Sequence, residues 1–79
     1  MNINNFKDAA IVNDLSFKFK DKEFSILMDN NSYVAIDDNG NVKKFDKYND
    51  LYKDLDDLID NWMIEGQQIK DIVQYIELI

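Results

Sequence analysis

Carboxylates dominate the side chains of this sequence that could do chemistry: 13 Asp and 3 Glu among 79 residues, with no histidine and no cysteine. Between residues 50 and 60 they come at helical spacing. Asp50, Asp54 and Asp57 stand at i, i+4 and i+7, which predicts one shared face opposite the leucines. Asp56 and Asp60 form a second i, i+4 pair on a flank, and Lys53 is the only cation among them. Like charges so placed cost about 0.2–0.5 kcal/mol per pair in an isolated helix. Four helical residues rise about 6 Å, near the spacing of successive phosphates on a nucleic-acid strand. A row of carboxylates on such a face has the geometry to occupy a phosphate-binding groove; a solvated outer face carries the same pattern. Tyr52 lies off the leucine stripe among these acids. An exposed tyrosine there would anchor an interface, and one packed at the core rim would not. The candidate partner-binding residues are therefore Asp50, Asp54, Asp56, Asp57, Asp60 and Tyr52. Because relief of repulsion is neutral or mildly stabilising, the double change Asp54→Asn, Asp57→Asn is expected to leave the fold intact.

Other chemistries fit these residue types poorly. Asp37-Asp38 and Asp56-Asp57 are adjacent in sequence, so each pair diverges on its element. Ser16, Ser25 and Ser32 have no evident base. Asp37, Asn39 and Gly40 resemble a calcium loop, but the first ligand position falls on Ala35 and the last on Asp46 rather than Glu. A hairpin turn explains them better. Lys18, Lys20 and Lys22 alternate as a small basic stripe, too short for nucleic-acid binding against the overall charge. No catalytic residue, metal ligand or cofactor is nominated, and the expectation is a non-enzymatic chain.

The elements that position the acids follow from periodicity. Ile3, Phe6, Ala9 and Ala10 give a two-turn helical pattern over residues 3–12, stopped at Asn13-Asp14. Leu15, Phe17 and Phe19 alternate with polar residues and predict a strand; Asp21-Lys22 is a two-residue turn candidate. Phe24 to Met28, Tyr33 to Ile36 and Val42 to Phe45 read as three more strands, separated by the turn clusters Asp29–Ser32 and Asp37–Asn41. Lys43 and Lys44 blunt a sheet edge. From residue 46 the period changes: Leu51, Leu55, Leu58, Ile59 and Trp62 define a helix face, with Asp46 or Asn49 as N-cap and Gly66 as the terminating residue. Ile69, Ile72, Val73 and Ile76 predict a second helix, in preference to a strand over residues 72–78. The class is α+β: an antiparallel sheet of three to four strands followed by two helices on one face, with a short N-terminal helix pattern, in a single domain 1–79.

Charge narrows the partners. The net charge is −7. Residues 1–45 hold 7 acids and 6 Lys, whereas residues 46–79 hold 9 acids and 3 Lys. Such a field repels nucleic acid and anionic lipid and favours basic proteins. No apolar run approaches 18 residues and the first residues lack a signal pattern, so cytoplasmic residence without a membrane span is expected. The absence of Arg and Pro beside abundant Asn, Lys and Ile matches an AT-rich coding sequence.

The opening Met1-Asn2-Ile3-Asn4, the hairpin Asn39-Gly40-Asn41, the helix Asp50–Trp62 and the acidic balance resemble the small acidic proteins of phages and prophages, and loosely the small type II anti-CRISPR inhibitors. The resemblance covers general layout and no diagnostic motif. It implies an inhibitor that fills a nucleic-acid-reading site of an RNA-guided nuclease, with Asp50, Asp54 and Asp57 in the phosphates' place. The other class is a regulatory or structural interaction module, a homodimer included, or an immunity-type protein whose acids serve solubility.

Overall fold

Asn2 opens the chain's first helix. Its side chain accepts the Asn5 N–H at 2.8 Å, and α1 runs Ile3–Val12 before Asn13 ends it in extended backbone. The computed structural model describes residues 1–79. After α1 come β1 (Leu15–Phe19), β2 (Lys22–Asp29), β3 (Ser32–Ile36), β4 (Val42–Phe45), α2 (Leu51–Asn61), α3 (Ile69–Ile72) with a 3-10 turn at Val73–Tyr75, and β5 (Glu77–Leu78). The five strands form one antiparallel sheet in the order β4-β3-β2-β1-β5. The α+β class is as the periodicity predicts, with one more strand than the three to four expected and with one helix ahead of the sheet.

Alternation along the strands sends Leu15, Phe17, Phe19, Phe24, Ile26, Tyr33, Ala35 and Phe45 to one face. There they meet Phe6 and Ala10 of α1, the Leu55–Leu58–Ile59 stripe of α2, and Ile69 and Ile72 of α3 in a single apolar cluster. Its centre is aromatic. Phe17 stacks on Phe24 at 5.5 Å between ring centroids, and Trp62 stands edge-on to both at 6.3 and 6.1 Å. The buried Tyr33 hydroxyl donates to the Ala10 carbonyl at 3.0 Å, so β3 satisfies an orphan acceptor at the end of α1.

Three expectations about boundaries need correction. The β1–β2 turn is Lys20-Asp21, both with positive φ, not Asp21-Lys22. The observed register stacks Phe17 on Phe24, joins the Ser16 and Ser25 hydroxyls at 3.0 Å and sets Lys18 opposite Glu23; the alternative register loses these cross-strand pairs. Helix α2 stops at Asn61, and Glu65-Gly66 instead forms a tight turn between Ile64 and Gln67. Trp62 and Ile64 are both buried, which two positions about 200° apart on a helix cannot achieve together. Lastly, the second helix is one α turn and a 3-10 turn. Ile76 is extended, and β5 adds itself to the free edge of β1, with the Ile79 N–H donating to the Ser16 carbonyl at 3.0 Å. The helix spacing marks the right buried residues, Ile69, Ile72, Val73 and Ile76, but the edge's unpaired backbone groups claim the last residues for the sheet.

Candidate functional site

Helix α2 carries the candidate acids, and the fold divides them among three roles. Asp50 is the N-cap, in place of Asp46 or Asn49; its Oδ1 accepts the Lys53 N–H at 3.0 Å. Asp54 is fully buried. It takes the Ser32 hydroxyl at 2.9 Å, the Tyr48 N–H at 3.0 Å and the Asp50 N–H at 3.2 Å, so it binds the loop before α2 to the start of β3. Burial alone would push its carboxyl up; the Tyr48 N–H, the Ser32 hydroxyl and the Asp50 N–H outweigh burial and hold it below the usual carboxylate range.

The shared solvent face of Asp50, Asp54 and Asp57 is thus corrected: Asp54 belongs to the interior. The helix wheel carries the signal, because Asp54 lies about 40° from Leu58 and about 60° from Asp57. Only tertiary structure supplies the donors that make a carboxylate tolerable there.

Asp56, Asp57 and Asp60 remain on the outside. With Tyr48, Lys53 and Asn61 they line an open depression of about 410 Å³. Asp57 accepts the Asn61 side-chain N–H at 2.6 Å. Asp56 is ion-paired at 3.0 Å with Lys7 of α1, a surface contact of small energetic weight. Tyr52, at 71% exposure, stands on the other flank, beside a groove between α1 and α2 lined by Lys7, Asp8, Ile11, Leu55 and Asp56. Asp56 borders both depressions. Tyr48, Lys53 and Asn61 also line this surface and were not among the candidates; Tyr48 sits in the irregular loop before α2, where periodicity carries no information.

The other clusters resolve locally. Asp37 accepts from the Asn39 and Asn41 N–H groups at 2.9 and 2.8 Å and from the Asn41 side chain at 3.1 Å, with Gly40 at φ 83 completing the turn. The Asn41 N–H in particular holds its carboxyl below the usual range. No three His, Cys, Asp or Glu side chains converge closely enough to hold a metal ion. The lysine stripe is not continuous: Lys18 is on β1, Lys20 is in the turn, and Lys22 pairs with Glu65 at 2.6 Å. No helix is long and apolar enough to cross a membrane. Comparison of the chain with protein-family models, curated proteins and solved structures finds no match.

Proposed function

We propose that this chain is a non-enzymatic inhibitor that occupies a basic, nucleic-acid-binding surface of a host protein, with an RNA-guided CRISPR nuclease as the leading target class. The supporting observation is the outer face of α2, where the exposed Asp56 and Asp60 and the half-buried Asp57 surround one depression with Lys53 the only cation lining it. Asp56 and Asp60 are one helical turn apart, about 6 Å along the axis, so they can meet side chains arranged for successive phosphates. Tyr48 and Tyr52, both exposed, flank these acids and supply apolar contact area. Asp50 and Asp54 are occupied by the fold and take no part, which narrows the mimicry to three carboxylates.

The test is a DNA-cleavage assay with type II nucleases, with and without the chain, at low and high salt. Inhibition should weaken as salt rises, because it depends on exposed charge. The triple variant Asp56→Asn, Asp57→Asn, Asp60→Asn should lose it. Undiminished inhibition by the triple variant, or none at any salt with any nuclease tried, overturns the reading. Affinity capture from host lysate then distinguishes an immunity-type role against a basic toxin.

A further inference from the structure

The sheet has a second face that no helix covers. Leu27, Val34 and Ile36 alternate with core residues along β2 and β3 and lie outside the packing of the core cluster. Cross-strand pairing sets Leu27 beside Val34 and Ile36 beside Val42, so the four form one aliphatic patch over β2, β3 and β4. Val42 is 59% exposed. The charges on this face are Lys18, Lys44, Glu23, Asp29 and Glu77, a balance of −1 on a chain whose net charge is −7.

We propose that this face is a contact between two copies of the chain. Charge selects that occupant. Molecules of this net charge repel one another, above all through α2, and approach at least cost through a face whose charges nearly cancel. A twofold contact must also be self-complementary, and the register meets that demand. Glu23 lies one strand and two residues from Ile36 on one side; Lys44 lies one strand and two residues from it on the opposite side. A twofold axis lying in the plane of the contact, over Ile36 and at right angles to the Glu23–Lys44 line, sets Lys44 of each copy against Glu23 of the other, with Ile36 between them and charges at the rim. Five strands about 4.8 Å apart and about five residues long give a face of roughly 400 Å². That is half the ~800 Å² per partner of a standard stable interface, so the dimer is weak and concentration-dependent.

This contact is remote from the acidic face of α2 and stands or falls independently of the inhibitor reading. Sedimentation equilibrium from micromolar to millimolar concentration is expected to show a monomer–dimer equilibrium that added salt strengthens, since salt screens the mutual repulsion. Amide shifts recorded over the same range should move in β2, β3 and β4 and not in α2. Ile36→Lys should abolish association. Val42→Lys, at an exposed edge position where the fold is retained, should weaken it at least about tenfold, because an ammonium would be desolvated in the contact. A monomer at every concentration, a dimer that survives Val42→Lys, or shifts confined to α2 overturns the proposal.

Discussion

Asp54 sits where α2 passes the start of β3, and its carboxylate holds three donors, one from the start of β3 and two from the loop before α2. Asp54→Ala should leave all three unsatisfied at a cost of about 2–4 kcal/mol, read as a lower denaturation midpoint in urea. Asp54→Asn keeps the shape but turns an N–H₂ toward donors, and should cost about 1–3 kcal/mol. The double change with Asp57→Asn, harmless by spacing alone, is therefore destabilising. The pH dependence has a definite sign. Because the folded carboxyl titrates below its ordinary value of 3.8, its stabilisation is complete above that value and is lost as pH falls through the folded value. Asp37 is lowered too and shares this window, while Glu65, lowered by its bond from Lys22, has its contribution complete only above its ordinary value of 4.5. The melting temperature of the natural chain should fall more steeply on acidification than that of Asp54→Asn, and parallel curves would remove Asp54 as a contributor. Leu55, 2% exposed against the sheet, gives the apolar comparison: Leu55→Ala should cost about 2–5 kcal/mol.

The β1–β2 hairpin is closed by Lys20 and Asp21 at φ 52 and 62. This is the left-handed conformation a two-residue hairpin turn demands, and it costs a residue such as Lys about 1–2 kcal/mol. Neither glycine of the chain is spent here: Gly40 and Gly66 serve other turns at φ 83 and 74. The turn is tolerated because the strands it joins carry the Phe17–Phe24 stack at the centre of the core. Replacing Lys20-Asp21 with Asn-Gly should stabilise the domain by about 1 kcal/mol. For a domain of this size that corresponds to a rise of about 4–8 °C in melting temperature. An unchanged or lower midpoint would mean that the Lys20 ammonium, 5.4 Å from the Phe19 ring centroid, contributes as much as the strain costs.

At the scale of the molecule the two layers carry different fields. The helical layer holds α2 with Asp56, Asp57 and Asp60 on its outer side, and the uncovered sheet face, with two lysines against three acids around Leu27, Val34 and Ile36, is close to neutral. Neutralising the three outer acids to Asn should change stability by no more than about 0.5 kcal/mol, because the loss of the exposed Lys7–Asp56 pair is offset by relief of like-charge repulsion. Thermal melts at low and high salt should superpose more closely for this variant than for the natural chain. A loss of several degrees at both salts would show that these carboxylates hold the fold together, and would make the outer face structural.

Residue periodicity by itself determined the α+β class, the strands between Leu15 and Phe45 and the buried stripe of α2; over residues 3–12 it offered a helical pattern, which the structure forms as α1. Each of these depends on spacing within one segment, and spacing is a local property. It also marked Ile69, Ile72, Val73 and Ile76 as interior residues. What it could not decide was settled by groups far apart in the chain. The edge of β1 drew Glu77 and Leu78 out of a helix and into the sheet. The Ser32 hydroxyl and the backbone of Tyr48 and Asp50 made Asp54 an interior anion. In both places the local pattern was compatible with more than one outcome, and the demand that buried or edge polar groups find partners selected one.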